Sequence, residues 1–150
     1  MAGFVNSSMV RVGVDVASRE EALMYLAKFG VELGYGTSVD DVYQAFLDRE
    51  AEGETGLMDG FATPHAKCDA IQKAGIAFVR FTHPLDWPSF DKKPVDIALT
   101  LYVPAAEAGT THLQLLSKSA VMLMRAENRA KLRTCEDAEE IAAFIDAGLS

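Results

Sequence analysis

Residues 95–103, VDIALTLYV, form a nearly unbroken apolar run with one charge, and Pro104 follows directly. A run of this length, rich in β-branched and aromatic residues, reads as a strand central in its sheet. Residues 75–82 have the same character and read as a neighbouring strand. Near the start, Val10, Val12, Val14 and Val16 alternate with Arg11, Gly13 and Asp15, the period-two pattern of a strand with one buried face.

Between these strands the period changes to that of helices. Ser18 and Glu21 have capping-box spacing, and Ala22, Leu23, Leu26, Phe29 and Leu33 follow at helical intervals until Gly34. Thr37-Ser38 opens a second helix with the stripe Val39, Val42, Tyr43, Phe46 and Leu47, and Gly53 marks its end. Residues 53–60 are glycine-rich and polar, so they read as a loop leading into a short extended run at 61–63. His65 is thereby expected at a strand end. Thr110 or Thr111 is expected to cap a helix burying Leu113, Leu116, Ala120 and Leu123. A last helix is expected after Thr134, with Asp137 at capping-box distance and Ile141, Phe144 and Ile145 facing inward. Strands alternating with helices predict a layered α/β domain, with no internal repeat.

At 150 residues and 49% hydrophobic, the chain suits one domain, expected over residues 10–150. Residues 1–9 show no period and are expected to be disordered or tag-derived. No apolar stretch approaches a membrane span and no signal peptide is legible, so a soluble, cytoplasmic protein is expected. A net charge of −8 argues against nucleic acid or an anionic membrane as main partner. Cys68 and Cys135 form no CxxC unit and read as reduced thiols.

The three histidines have different settings. His65 follows Pro64 in a segment of small residues, where an imidazole is reachable and can act as a nucleophile near neutral pH. Spacing alone leaves open a histidine that only caps a turn. His112 falls in a first helical turn, where unpaired N–H groups favour an anion, although such residues are also common on plain surfaces. His83 reads as a loop residue. Arg49 is the cation suited to bidentate phosphoryl contacts, or else a surface residue paired with Asp48, Glu50 or Glu52. No H-E-x-x-H helix or G-x-S-x-G elbow is present, and two histidines with Asp69 make a poor zinc site, so neither metal nor cofactor is expected.

Within residues 46–70, FLDREAEGETGLMDGFATPHAKCDA, an Arg-Glu pair, a Thr-Gly pair and a G-x-A-x-P-H-A-K element occur in order. Together with GIAFVRF, DWPSFDKKPVDIALTLYVP and HLQLLSKSA, this resembles the fructose/mannitol-type IIA family of the bacterial phosphoenolpyruvate-dependent phosphotransferase system. The resemblance implies a mixed sheet flanked by helices. It also implies that His65 accepts a phosphoryl group on Nε2 from HPr and hands it to a IIB component, with a membrane IIC component downstream. By position it matches His112 and Arg49 to residues that stabilise the phosphoryl group. Thr63 stands where Ile or Val is usual. Two roles remain open, sugar uptake of the fructose-like type and nitrogen-type regulation by protein binding; the DWPSFDKKPV stretch is closer to sugar-type members. A third reading is a non-catalytic interaction domain, against which His65, His112 and Arg49 stand together. The segment around His65 lacks carboxylates between Phe61 and Lys67, so an apolar docking patch with an acidic rim is also expected.

Overall fold

The computed structural model describes residues 4–106 and 110–149, with residues 110–112 described by backbone alone. Chain order is β1 (Val10–Val14), α1 (Arg19–Glu32), α2 (Val39–Glu52), β2 (Phe61–Ala62), β3 (His65–Cys68), β4 (Gly75–Leu85), β5 (Val95–Pro104), α3 (Thr110–Met124), α4 (Ala126–Thr134) and α5 (Ala138–Gly148). A short 3-10 turn at Ser7–Met9 precedes β1.

The sheet runs β1-β4-β5-β2, and β3 also pairs with β5. β4 is antiparallel to β5, whereas β1–β4, β2–β5 and β3–β5 are parallel, so the sheet is mixed. β5 is central, and its alternate residues enter two separate cores. Ile97, Leu99 and Leu101 join Phe61, Ile76 and Phe78 under α3, α4 and α5. Ala98 and Tyr102 join Ala77 and Val79 under α1 and α2, which contribute Leu23, Leu26, Val42 and Phe46. Fully burying a side chain such as Leu or Phe contributes about 1.5–3 kcal/mol, so this two-sided burial explains the unbroken apolar run. The layered α/β sandwich is the expected architecture.

Local signals fix several element ends. Ser18 Oγ accepts from Glu21 N at 3.1 Å and Glu21 reaches back to Ala17 N at 3.3 Å, while Ser38 Oγ accepts from Asp41 N at 3.3 Å. Gly75 lies so close to the Tyr35 ring that a Cβ there would enter it.

Five expectations need correction. β1 stops at Val14 rather than Val16, because Gly13 takes φ +80° and the pairing register shifts there. His83 lies within β4, not in a loop; its exposed ring sits 3.3 Å from Asp15 Oδ1. The inner stripe of α3 is Leu115, Ser119, Met122 and Leu123, whereas Leu113 is exposed, since an apolar helix offers more than one stripe of the same period. α4 has no sequence counterpart: it is mostly polar, and Leu132 is its one buried residue. Asp137 is itself the N-cap of α5, accepting from Glu139 N at 3.0 Å, and Thr134 belongs to α4. The cap expected of Thr110 or Thr111 lies outside the described side chains. Ahead of β1, Val5 is buried and its N–H donates to Asp146 Oδ1 at 2.9 Å.

Candidate functional site

His65 opens β3 rather than ending the run at 61–63. The reason is Pro64: it has no N–H, so the ladder on the edge of β5 breaks and restarts. The Pro64 carbonyl still accepts from Leu101 N at 3.0 Å, and His65 pairs with Leu101, which keeps the segment in place.

The ring of His65 is held at both nitrogens. Nδ1 lies 2.9 Å from the carbonyl oxygen of Thr63, and Nε2 accepts from Nε of Arg49 at 2.9 Å. A carbonyl can only accept and a guanidinium can only donate. The imidazole is therefore neutral, with its proton on Nδ1 and a lone pair on Nε2. Thr63 fills a position that sets the tautomer through its backbone, so the departure from Ile or Val there leaves this bond intact.

Arg49 reaches the ring from the last turn of α2, which packs on β3. Its Nη1 donates to the Gly53 carbonyl at 2.8 Å, so two bonds fix the guanidinium. No carboxylate pairs with Arg49 among the described residues, so the alternative of an ion pair with Asp48, Glu50 or Glu52 does not hold.

Both groups line a cleft of about 680 Å³ together with Asp41, Asp48, Glu52, Lys67, Cys68 and Asp69. His65 is 9% exposed and lines this opening. Residues 61–66 are all buried, which removes the apolar patch expected from that segment. The reason is packing on both faces of the sheet: Phe61 enters one core, and Ala62 and Ala66 enter the other. Four carboxylates stand in the cleft wall, so the acidic surface comes closer to His65 than expected. Asp59, just before the segment 61–66, is exposed and paired with Arg129 at 3.0 Å. Arg129 belongs to α4, the helix that the sequence pattern left unread. His112 lies in the first turn of α3 by backbone, and its side chain is outside the described residues.

Behind the site lies a contact that sequence reasoning missed. Glu50 is buried; it accepts from the Thr55 hydroxyl and, at 3.2 Å, from Trp87 Nε1. Gly56 presses on the 86–89 loop so closely that a Cβ would run into the Pro88 carbonyl and lie 2.6 Å from Ser89 Cβ. The Arg-Glu and Thr-Gly pairs were its only sequence trace. Among the described residues, no group of three or more His, Cys, Asp or Glu is placed to hold a metal ion, and no helix is long and apolar enough to cross a membrane.

A fixed imidazole with an aimed lone pair, a guanidinium against that same atom, and a cleft open to a partner suit acceptance of a phosphoryl group. Comparison with known proteins agrees with the resemblance. Residues 3–148 match the family described as "Phosphoenolpyruvate-dependent sugar phosphotransferase system, EIIA 2", and the chain belongs to it. A fructose-specific EIIA component from Haloferax volcanii is 36% identical over 125 residues, covering 83% of this chain and 80% of that one. The 2-O-alpha-mannosyl-D-glycerate-specific EIIABC component of Escherichia coli is 35% identical over 86% of this chain, which spans 20% of that longer protein. The crystal structure of nitrogen regulatory protein IIA-Ntr from Neisseria meningitidis superposes with a TM-score of 0.87 at 30% identity, covering 95% of this chain and 96% of that one.

Proposed function

We propose that this chain is a phosphocarrier: Nε2 of His65 accepts a phosphoryl group from phospho-HPr and passes it to a IIB component, in sugar uptake of the fructose-like type. The observation that carries the reading is the hydrogen bonding of the ring, which leaves the lone pair on Nε2 and the proton on Nδ1.

In the transfer, the Nε2 lone pair forms a bond to phosphorus as the donor's P–N bond breaks, and that electron pair stays with the donor nitrogen. His65 keeps its Nδ1 proton, so the phosphorylated ring is cationic, and the Thr63 carbonyl stabilises it. Arg49 loses Nε2 as acceptor and turns its donors to the phosphoryl oxygens, still tethered through Gly53. By the family resemblance, His112, in the first turn of α3, is the residue matched to a further donor to the phosphoryl group. Delivery to a IIB thiolate reverses these steps.

A second reading is regulatory: the same phosphorylation would govern binding to other proteins. The match to a nitrogen regulatory protein over nearly the whole chain favours it, whereas the DWPSFDKKPV stretch and the fructose-specific relative favour transport. Adjacent genes for IIB and IIC would support transport; their absence would support regulation. The phosphocarrier reading is tested with enzyme I, HPr and phosphoenolpyruvate, followed by intact mass and site mapping. One phosphoryl group on His65 is expected, and full labelling of His65→Ala would overturn it.

A further inference from the structure

Glu50 is a buried carboxylate with no cation beside it among the described residues. Burying a carboxylate without a cation is costly, and an apolar residue of similar size fills such a space with less penalty. What the carboxylate does is join three segments. Its two oxygens take the hydroxyl of Thr55 and the indole N–H of Trp87, from the loop after α2 and from the loop before β5.

Both segments lead to the ring of His65. The Thr55 carbonyl accepts from Thr63 N at 3.0 Å, and the Thr63 carbonyl in turn takes Nδ1 of His65. Two residues before Thr55, the Gly53 carbonyl holds Arg49 against Nε2. Fixing Thr55 thus fixes the acceptors that orient the ring and the guanidinium. Trp87 closes the loop from its other side, where Gly56 abuts Pro88 and Ser89 and the Gly56 carbonyl accepts from Phe90 N at 3.0 Å.

We propose that Glu50 is a positioning residue for His65: by holding Thr55 and Trp87 it sets the tautomer of the imidazole and the seat of Arg49, without touching the phosphoryl group. This rests on His65 being the phosphoryl acceptor. Glu50 lies next to Arg49 in the chain, so one helical turn supplies both the donor at the ring and the anchor behind it.

The test uses the full chain, with the ring nitrogens of His65 followed by long-range proton–nitrogen NMR before phosphorylation and transfer from phospho-HPr measured separately. Wild type is expected to show the Nδ1–H form. In Glu50→Ala a mixture of tautomers is expected, with turnover about 10- to 100-fold slower, the scale of a small misplacement of reacting groups. The apparent affinity for phospho-HPr should change little. Glu50→Gln should recover the Nδ1–H form and most of the rate, because its amide can accept from Trp87 and donate to the Thr55 hydroxyl, which also accepts. Thr55→Val removes the hydroxyl alone and should shift the tautomer in the same direction as Glu50→Ala, so it decides the matter if Glu50→Ala does not fold. A folded Glu50→Ala or Thr55→Val that keeps the wild-type tautomer overturns the inference. Absence of label on wild-type His65 would instead overturn the phosphocarrier reading, and the tautomer measurement would still decide the role of Glu50.

Discussion

Arg49 donates its Nε–H to Nε2 of His65 at 2.9 Å, so the atom proposed to attack phosphorus is also the atom that a guanidinium already holds in place. In the transfer proposed above, this bond aims the lone pair beforehand and the same donors turn to the phosphoryl oxygens afterwards, so that one cation serves both ends of the step. Arg49→Ala should slow phosphoryl transfer by about 10- to 1000-fold, the scale of removing one preorganised donor. Arg49→Lys should recover little, since an ammonium cannot bond the ring and Gly53 with the same planar fork. Both variants should retain the melting temperature within a few degrees, because the side chain is half-buried at a helix end.

His112→Ala should leave the fold intact and slow transfer, on the strength of its motif and its place in the first turn of α3. Rapid-quench kinetics with phospho-HPr would measure it. A rate equal to wild type would make His112 a surface residue.

Gly56→Ala should destabilise the protein by about 1–3 kcal/mol, as over-packing does, because its Cβ meets backbone at Pro88 that cannot move alone. Denaturant unfolding would give the value. Since the same loop supports Thr55, transfer should slow as well.

How much of this was legible beforehand depends on whether a signal is local. The caps at Ser18 and Ser38 act within three residues, and β5 declares its two-sided burial through its own apolar run. His65 stood out by its Pro-His element, and its resemblance brought Arg49 with it. Glu50 and Trp87 are 37 residues apart, and nothing in either neighbourhood requires their bond. α4 escaped because a mostly polar helix with Leu132 as its one buried residue has no apolar stripe to announce it. The buried state of residues 61–66 likewise follows from layers that only the assembled sheet provides.

The cleft wall carries Asp41, Asp48, Glu52 and Asp69, so association with a basic partner face should weaken as salt rises. Replacing Asp41, Asp48 and Glu52 together by their amides should lower the association rate for HPr about tenfold at low salt and much less at high salt. Stopped-flow binding at two ionic strengths would check this. Indifference to both changes would place docking elsewhere.

Acid should erode stability through carboxylates whose hydrogen bonds favour the charged form. Asp91 is held below the usual range, first by the backbone N–H of Asp59 and then by that of Lys93 and the hydroxyl of Ser89. Glu20 and Glu140 are shifted in the same direction, Glu20 by its own backbone and Arg19, Glu140 by Lys131 and Cys135. A carboxyl whose folded value is lowered stabilises the fold above its unfolded value, about 4, and that contribution is lost as pH falls through the folded value. Asp91→Asn should therefore flatten the acid side of the stability curve below about pH 4. Denaturation midpoints at several pH values would show it; a slope unchanged from wild type would contradict it.

The position of the phosphoryl group on the ring tests the central claim most directly. After transfer from phospho-HPr, long-range proton–nitrogen NMR with phosphorus coupling distinguishes the two ring nitrogens of His65. Phosphorus coupled to Nε2, with the proton retained on Nδ1, is the predicted result. Phosphorus on Nδ1, or on any residue other than His65, would contradict the account.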